Sequence, residues 1–221
     1  MRDESTGNIK AGVSEATVRR LSNYYRILGD VESESETTIS SERLADRCGI
    51  TSAQVRKDFS SFGSFGRRGL GYNVDHLREN IGKILGIDRN WNIVLVGAGN
   101  LGHALFQYEE FHDQGFHICA IFDHNLTKVG SSWDGIMVYS MDRLDELVKD
   151  LEARIGVVAV PATAGQEVAD RLVLAGVEGI LNFSPVKLSV PEPVYIRNVN
   201  LAIALESLSY SLTKHKKLKL F

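Results

Sequence analysis

The sequence predicts an α/β protein with an N-terminal winged helix-turn-helix domain and a C-terminal Rossmann domain built on a doubly wound parallel sheet. A G-x-G-x-x-G fingerprint follows an apolar strand in mid-sequence, the pattern before it is helical, and apolar strands alternate with a helix after it. We therefore place the winged helix-turn-helix domain at 1–88, the Rossmann domain at 89–200, and a terminal helix with a basic tail at 201–221.

Composition limits the classes of protein that fit. The 221 residues are 43% hydrophobic and carry a formal net charge of −3, so real cores are possible and any DNA binding must depend on local charge. Neither a membrane span nor a secretory leader is evident, and we expect a cytoplasmic protein. Cys48 and Cys119 are too few for a disulfide framework and are expected to be buried thiols without a metal.

The N-terminal region has the pattern of a helix-turn-helix. Apolar residues at three- and four-residue spacing predict a first helix over 14–28, and the acidic stretch 30–36 is expected to be a connecting loop. A short helix over 42–47 ends at Gly49. A capping box then opens a third helix over 51–61.

The third predicted helix has a polar and basic face opposite its apolar one. Arg side chains on that face suit guanine, Gln54 suits adenine, and Lys57 suits phosphate, although an ordinary solvated face is the alternative. The predicted DNA contacts on this helix are Ser52, Gln54, Arg56, Lys57 and Ser60. The candidates for phosphate contact on the first helix are Arg19, Arg20 and Tyr24, with solvated surface again the alternative.

The segment 65–72, Phe-Gly-Arg-Arg-Gly-Leu-Gly-Tyr, predicts a β-hairpin wing with a basic tip. Its glycines permit the turn, and Arg67 or Arg68 is suited to a narrow minor groove. Phe65 and Tyr72 are expected to anchor the wing to the core, and Tyr72 is also counted among the DNA contacts.

The fingerprint follows a strand over 92–96, and each glycine has a separate task. Gly97 permits the turn, Gly99 lets the backbone approach a pyrophosphate, and Gly102 lets the new helix pack on the sheet. The phosphates are then expected at the positive start of that helix. The fingerprint residues predicted to bind the cofactor are Gly97, Ala98, Gly99, Asn100, Leu101 and Gly102.

An acidic residue ends the next predicted strand, 117–122. Asp123 lies 123 − 102 = 21 residues past the last glycine, where a carboxylate accepts a ribose 2′-OH and repels a 2′-phosphate. The ligand is therefore expected to be NADH or NAD+ and not the phosphorylated form. Lys128 and Val129 suit the adenosine side, although Lys128 is equally suited to plain surface.

Further elements complete the predicted sheet. A buried strand over 155–160 ends at Pro161, a helix spans 164–175, and a strand spans 179–183. The last helix, 201–213, has an apolar stripe that needs a partner surface, and the basic residues after it are expected to fray.

Over nearly its whole length the chain resembles the Rex family of bacterial redox-sensing transcriptional repressors. The resemblance is carried by five segments: RLSNYYRIL at 20–28, QVRKDFS at 54–60, GRRGLGY at 66–72, VGAGNLG at 96–102 and ILNFSP at 180–185. It implies a homodimer, not an enzyme, that binds an operator of inverted-repeat sequence and releases it when NADH binds. It also implies that the terminal helix is exchanged between protomers.

The resemblance assigns further residues. Together with position, it implies that Pro161, Asn182 and Phe183 line the nicotinamide half of the site, with strand-end packing as the alternative. Ala162 and Tyr108 are also predicted to bind the cofactor. In related sequences an acid stands at the position of Asn200 and switches partners between Arg26 and Tyr108 of the facing subunit. Because Asn200 is uncharged, this switch is expected to be weaker or differently arranged here.

Two other functions compete with this interpretation. A dehydrogenase needs a positioned acid or base and a substrate pocket, for which the residues outside the Rossmann pattern leave little room. A passive DNA-binding protein with a ligand-free Rossmann scaffold needs neither Gly99 nor Asp123.

Overall fold

The computed structural model describes residues 13–63, 65–66 and 70–218, with side chains described as far as residue 214. The chain divides into two compact units, Met1–Arg89 and Asn90–Phe221, so the terminal helix belongs to the second unit. Within the described ranges, no helix is both long enough and apolar enough to cross a membrane.

The first unit is mainly helical. Its elements are α1 (Glu15–Ser33), β1 (Thr38–Ile39), α2 (Ser41–Cys48), α3 (Ser52–Ser60), β2 (Tyr72–Asn73) and α4 (Val74–Leu85). Ser14 caps α1 by accepting a hydrogen bond from the backbone of Thr17. The prediction that 30–36 is entirely loop is wrong, because the buried stripe of α1 continues to Val31 and the helix ends only at Ser33.

The helix-turn-helix is present as predicted. Gly49, with φ +66°, ends α2 in the left-handed conformation, and the Thr51 side chain caps α3. The expected reciprocal capping box is only half formed. The backbone amide of Gln54 donates to Thr51 Oγ1, but the Gln54 side chain donates to Asp58 instead of returning to Thr51.

The wing differs from the predicted hairpin. β2 pairs antiparallel with β1, which precedes α2, and the described residues 65–66 and 70–71 contain no second strand of the predicted hairpin. Arg67 and Arg68 lie outside the described residues. Phe65 and Tyr72 do anchor the segment, since their rings pack edge-on against Phe59 at centroid distances of 5.7 and 5.1 Å.

The second unit is a doubly wound sheet with helices, which confirms the predicted fold class. Its strands are β3 (Trp91–Val96), β4 (Phe116–Asp123), β5 (Ser132–Trp133), β6 (Ile136–Ser140), β7 (Ile155–Val158), β8 (Gly179–Asn182) and β9 (Tyr195–Asn198). Its α-helices are α5 (Asn100–Phe106), α6 (Glu109–Asp113), α7 (Leu144–Asp150), α8 (Ala162–Ala175) and α9 (Leu201–Leu218). The order β5-β6-β4-β3-β7-β8-β9 is parallel except for the β5–β6 pair. From β6 to β9 it is the order of dinucleotide-binding sheets.

Several predicted boundaries shift. β7 and β8 end at Val158 and Asn182, before the predicted ends, and α8 begins earlier, at Ala162. The last helix, α9, continues past its predicted end at 213 to Leu218. Both cysteines are half-buried and free, and burial raises the pKa of each thiol.

Candidate cofactor and DNA-binding sites

The carboxyl ends of four parallel strands meet at one edge of the sheet. Val96 lies beside Phe122 on one neighbour and Val158 on the other, and Val158 lies beside Asn182. The pairing continues past the strands, since the Gly97 amide donates to Phe122 O at 2.8 Å. The chain winds from β3 towards β6 on one side and from β7 towards β9 on the other, so a crevice is expected outside β3 and β7.

The three fingerprint glycines serve different purposes. At Gly97, with φ +110°, a Cβ would stand 2.4 Å from the carbonyl oxygen of Ala159, and at Gly102 it would stand 1.9 Å from the carbonyl oxygen of Gly97. At Gly99 a Cβ would meet nothing within 4 Å, and no side chain caps α5 there. Packing thus requires two of the glycines, whereas the third keeps backbone open, which is what close approach by a pyrophosphate needs.

Asp123 joins the glycine loop to the end of β4. Only 5% of the residue is exposed; Oδ2 accepts from the Ala98 amide at 2.8 Å and from Lys128 Nζ at 3.2 Å, and Oδ1 accepts from the Asn125 amide at 2.8 Å. Burial would raise the pKa of Asp123, but these bonds outweigh it and the pKa is lowered. The carboxylate is charged at neutral pH, and three of its roughly four acceptor positions are used.

The predicted cofactor residues at the ends of β7 and β8 separate into two groups. Pro161 and Ala162 are exposed at the start of α8, and Phe183 is half-buried. Asn182 is 1% exposed; its amide nitrogen donates to Val186 O at 2.9 Å and to Asn198 Oδ1 at 2.8 Å, and its oxygen accepts from the Ser184 amide. The expectation that Asn182 lines the site is therefore corrected, because its side chain holds the loop after β8.

The three switch residues lie on separate elements. Arg26 is exposed on α1, and Tyr108 stands before α6, where its hydroxyl donates to Glu110. Asn200 Oδ1 accepts from the Ala202 amide at 3.0 Å and so caps the start of α9. Asn200 thus has a local role that an acid at the same position would also fill.

The outward face of α3 is largely as predicted. Arg56, Lys57 and Ser60 are exposed, and Ser52 is half-buried. Arg56 is partly engaged, because its Nη1 donates to Ser41 Oγ at 2.9 Å and to Glu42 Oε1 at 3.0 Å. The face is therefore available to DNA, with one arginine held by an acidic neighbour.

Arg20 and Gln54 do not have the free side chains expected of DNA contacts. Arg20 forms a two-point ion pair with the buried carboxylate of Asp58, and Gln54 donates to the same carboxylate. Tyr24, fully buried, donates to it as well. Tyr72 is half-buried against Phe59. Sequence reasoning missed Asp58, whose signal was a charge on the inward face of α3 between Val55 and Phe59.

The terminal helix α9 is exposed on every side within its second unit. Each described side chain from 201 to 214 is exposed. The predicted apolar stripe is Leu201, Leu205, Leu208 and Leu212, with exposures of 64%, 67%, 55% and 60%. An apolar surface of this kind on a globular chain indicates an interface.

Comparison with known proteins identifies relatives along nearly the whole chain. Residues 12–60 match the family model for the N-terminus of putative DNA-binding proteins, and residues 88–186 match that for a CoA binding domain. The chain is 48% identical over 202 residues to the redox-sensing transcriptional repressor Rex of Carboxydothermus hydrogenoformans, covering 91% of this chain and 97% of that protein. It is also 48% identical over 202 residues to the repressor of the same name from Pelotomaculum thermopropionicum, covering 91% and 95%.

Solved structures of one repressor are similar to the whole chain. RSP in complex with β-NAD+ and operator DNA has a TM-score of 0.90 at 38% identity, covering 95% of this chain and 97% of RSP. RSP in complex with β-NADH has a TM-score of 0.85 at 37% identity, covering 95% and 99%.

Proposed function

Because the chain belongs to the Rex family of redox-sensing transcriptional repressors, we propose that it binds operator DNA and releases it when NADH occupies the Rossmann unit. The observation that carries the proposal is the open backbone at Gly99 on the same sheet edge as the charged Asp123. That RSP has been crystallised with NAD+ and operator DNA, and separately with NADH, supports it.

The cofactor site uses backbone for the phosphates and a carboxylate for the ribose. The backbone from Gly99 into the first turn of α5 faces the pyrophosphate, and Asp123 offers its remaining acceptor position to an adenosine ribose hydroxyl. The bound nicotinamide supplies the redox signal through its oxidation state. The residues proposed to form this site are Gly97, Ala98, Gly99, Asn100, Leu101, Gly102, Asp123, Lys128, Val129, Pro161, Ala162 and Phe183. Tyr108 lies beside the first residues of β4, at the opposite edge of the sheet, so it is not proposed for this site within one chain.

The DNA-binding site is formed by α3 with the wing. Arg56 is suited to base contact, and Ser52, Lys57 and Ser60 are suited to phosphates and bases, with Arg19 reaching phosphate from α1. Arg67 and Arg68 extend the site into the minor groove. The apolar stripe of α9 holds two copies together, which presents two recognition helices to an inverted repeat about one DNA turn apart, roughly 34–36 Å.

Coupling requires that NADH bind the DNA-incompetent arrangement better than the competent one, since equal affinity shifts nothing. The protein is proposed to act in the cytoplasm as a sensor and not as an enzyme. The relatives named above support this, since they are named as transcriptional repressors.

A mobility-shift assay tests the proposal. A duplex bound by the protein is selected from random sequence, and NADH and NAD+ are then titrated separately against the complex. We expect NADH to release the duplex and NAD+ to leave it bound. Full retention of the duplex at saturating NADH would contradict the proposed function.

A further inference from the structure

We infer that Asp58 is a positioning residue for DNA recognition, and that Arg20 and Gln54 act through it instead of contacting DNA. The inference rests on the proposed function and refines its DNA-binding site. Asp58 lies on the recognition helix α3 with its side chain 3% exposed. Arg20 on α1 donates to both of its oxygens, Nε to Oδ2 at 2.6 Å and Nη2 to Oδ1 at 2.7 Å.

Two further donors complete the contacts of this carboxylate. The Tyr24 hydroxyl donates to Oδ2 at 2.8 Å, and Gln54 Nε2 donates to Oδ1 at 2.8 Å. Four donors therefore match the roughly four acceptor positions of a carboxylate. Burial would raise the pKa of Asp58, but Arg20, Tyr24 and Gln54 together lower it, so the ion pair persists at neutral pH.

This arrangement fixes how α3 is turned about its axis. Asp58 faces inward from the same turns whose outward residues are Arg56 and Lys57. A two-point arginine–carboxylate pair has one favoured geometry, so it holds α3 against α1 in one orientation. Base contacts depend on that orientation, whereas attraction to phosphates depends mainly on charge. Asp58 is thus expected to affect operator affinity far more than affinity for unrelated DNA.

The test measures full-length Asp58→Asn on the selected operator and on a scrambled duplex of equal length, across a range of salt concentrations. We expect operator affinity to fall about tenfold or more, the loss of at least one base contact. Affinity for the scrambled duplex should change only by the small amount that one removed charge causes, and in the charge-balanced double variant Arg20→Gln/Asp58→Asn it should stay unchanged together with its dependence on salt. Arg20→Gln should show the same pattern.

Arg19→Gln provides the contrast on the same helix. The Arg19 side chain is 78% exposed, and its surface pair with Glu15 is weak enough for a phosphate to replace it. Loss of a phosphate contact weakens binding to both duplexes alike and lowers the salt slope by about 1. If Arg20→Gln gave that signature, Arg20 would be a DNA contact and the inference would be overturned.

Folding is controlled in two ways. The double variant Arg20→Gln/Asp58→Asn leaves no unpaired buried charge and should show the same selective loss on the operator. Binding of the scrambled duplex by the double variant reports that its first unit is folded, and an NADH affinity equal to that of the wild type reports the same for the second unit. Unchanged operator affinity in the folded double variant would overturn the inference, whereas a wild-type protein that selects no operator would count against the proposed function instead.

Discussion

Two nearly enclosed carboxylates organise the two units in different ways. Asp58 in the first unit is held by side chains of Arg20, Tyr24 and Gln54. Asp123 in the second is held mainly by backbone amides of neighbouring loops, with Lys128 beside it. The first site therefore depends on which side chains meet across α1 and α3, and the second depends on the path of the backbone.

Gly102→Ala is the most severe test of the cofactor site in the second unit, which depends on the path of the backbone. The new methyl group would collide with the Gly97 carbonyl oxygen, which packing cannot relieve without moving α5 from the sheet. We expect a loss of about 3 kcal/mol or more in the free energy of unfolding. Denaturant melts of the second unit measure it, and a wild-type melt would show that the loop is less rigid than the geometry indicates.

Asp123→Ala removes both the ribose acceptor and the link to the Ala98 amide. Truncating a buried, hydrogen-bonded charge costs about 2–5 kcal/mol, so NADH affinity should fall roughly thirtyfold or more. Isothermal calorimetry with NADH checks this, and the mobility shift should become insensitive to NADH. Asp123→Asn, which keeps an acceptor, should lie between the variant and the wild type; equal NADH affinity in all three would remove Asp123 from the site.

Gly99→Ala separates binding from folding. Its methyl group meets no protein atom within 4 Å, so stability should stay within about 0.5 kcal/mol of the wild type. The methyl group stands where the pyrophosphate is proposed to approach, and NADH affinity should fall about tenfold. Gly102→Ala is the matched control, since it should lose stability whereas Gly99→Ala should not. An undisturbed NADH titration in Gly99→Ala would place the phosphates elsewhere.

Acid pH tests both carboxylates together. The pKa of each is lowered in the folded state, so the unfolded chain takes up protons first as the pH falls. Each contributes stability above its ordinary pKa, near 3.8, and loses it as the pH falls through the lower folded value. Denaturant melts at pH 7, 5 and 3.5 should show this loss as a falling free energy of unfolding in both units. In Asp58→Asn, the free energy of unfolding of the first unit should depend less steeply on pH. An equally steep dependence would show that other groups govern it.

Glu42→Gln tests how an acidic side chain beside the exposed face of α3 affects DNA binding. Glu42 pairs with the exposed Arg56 at 3.0 Å and adds negative charge beside the DNA face. The substitution takes one negative charge away from the DNA face, so affinity for any duplex should rise by roughly two- to fivefold. Fluorescence anisotropy with operator and scrambled duplexes measures this. Weaker binding would mean that Glu42 orients Arg56 for a base.

The cofactor site, which depends on the path of the backbone, was the more predictable of the two from sequence. Gly97, Gly99 and Gly102 encode a local backbone path, and the strand before them supplies the context, so the loop could be placed correctly. The weakly patterned strand β9 was missed, because one half-buried side chain in Tyr195–Asn198 gives no periodic signal. The helix α4 was missed despite the cap at Asn73 and buried residues at helical spacing.

The cluster around Asp58, which depends on contacts between side chains, was less predictable. Arg20 and Gln54 appear as polar residues on helices, and whether they face DNA or a buried acid depends on Asp58, which is 38 residues from Arg20. Asn182 was misplaced for the same reason, since its partners Val186 and Asn198 belong to a loop and a strand that the sequence pattern did not specify. Only the assembled fold shows which polar groups are already satisfied.

The central claim is that NADH and operator DNA exclude one another, and calorimetry of NADH binding with and without saturating operator tests it most directly. Linkage requires that the operator weaken NADH binding by the factor by which NADH weakens operator binding. We expect a shift of at least about fivefold, in line with typical coupling energies. An NADH affinity that is the same in the free and the operator-bound protein would contradict the account.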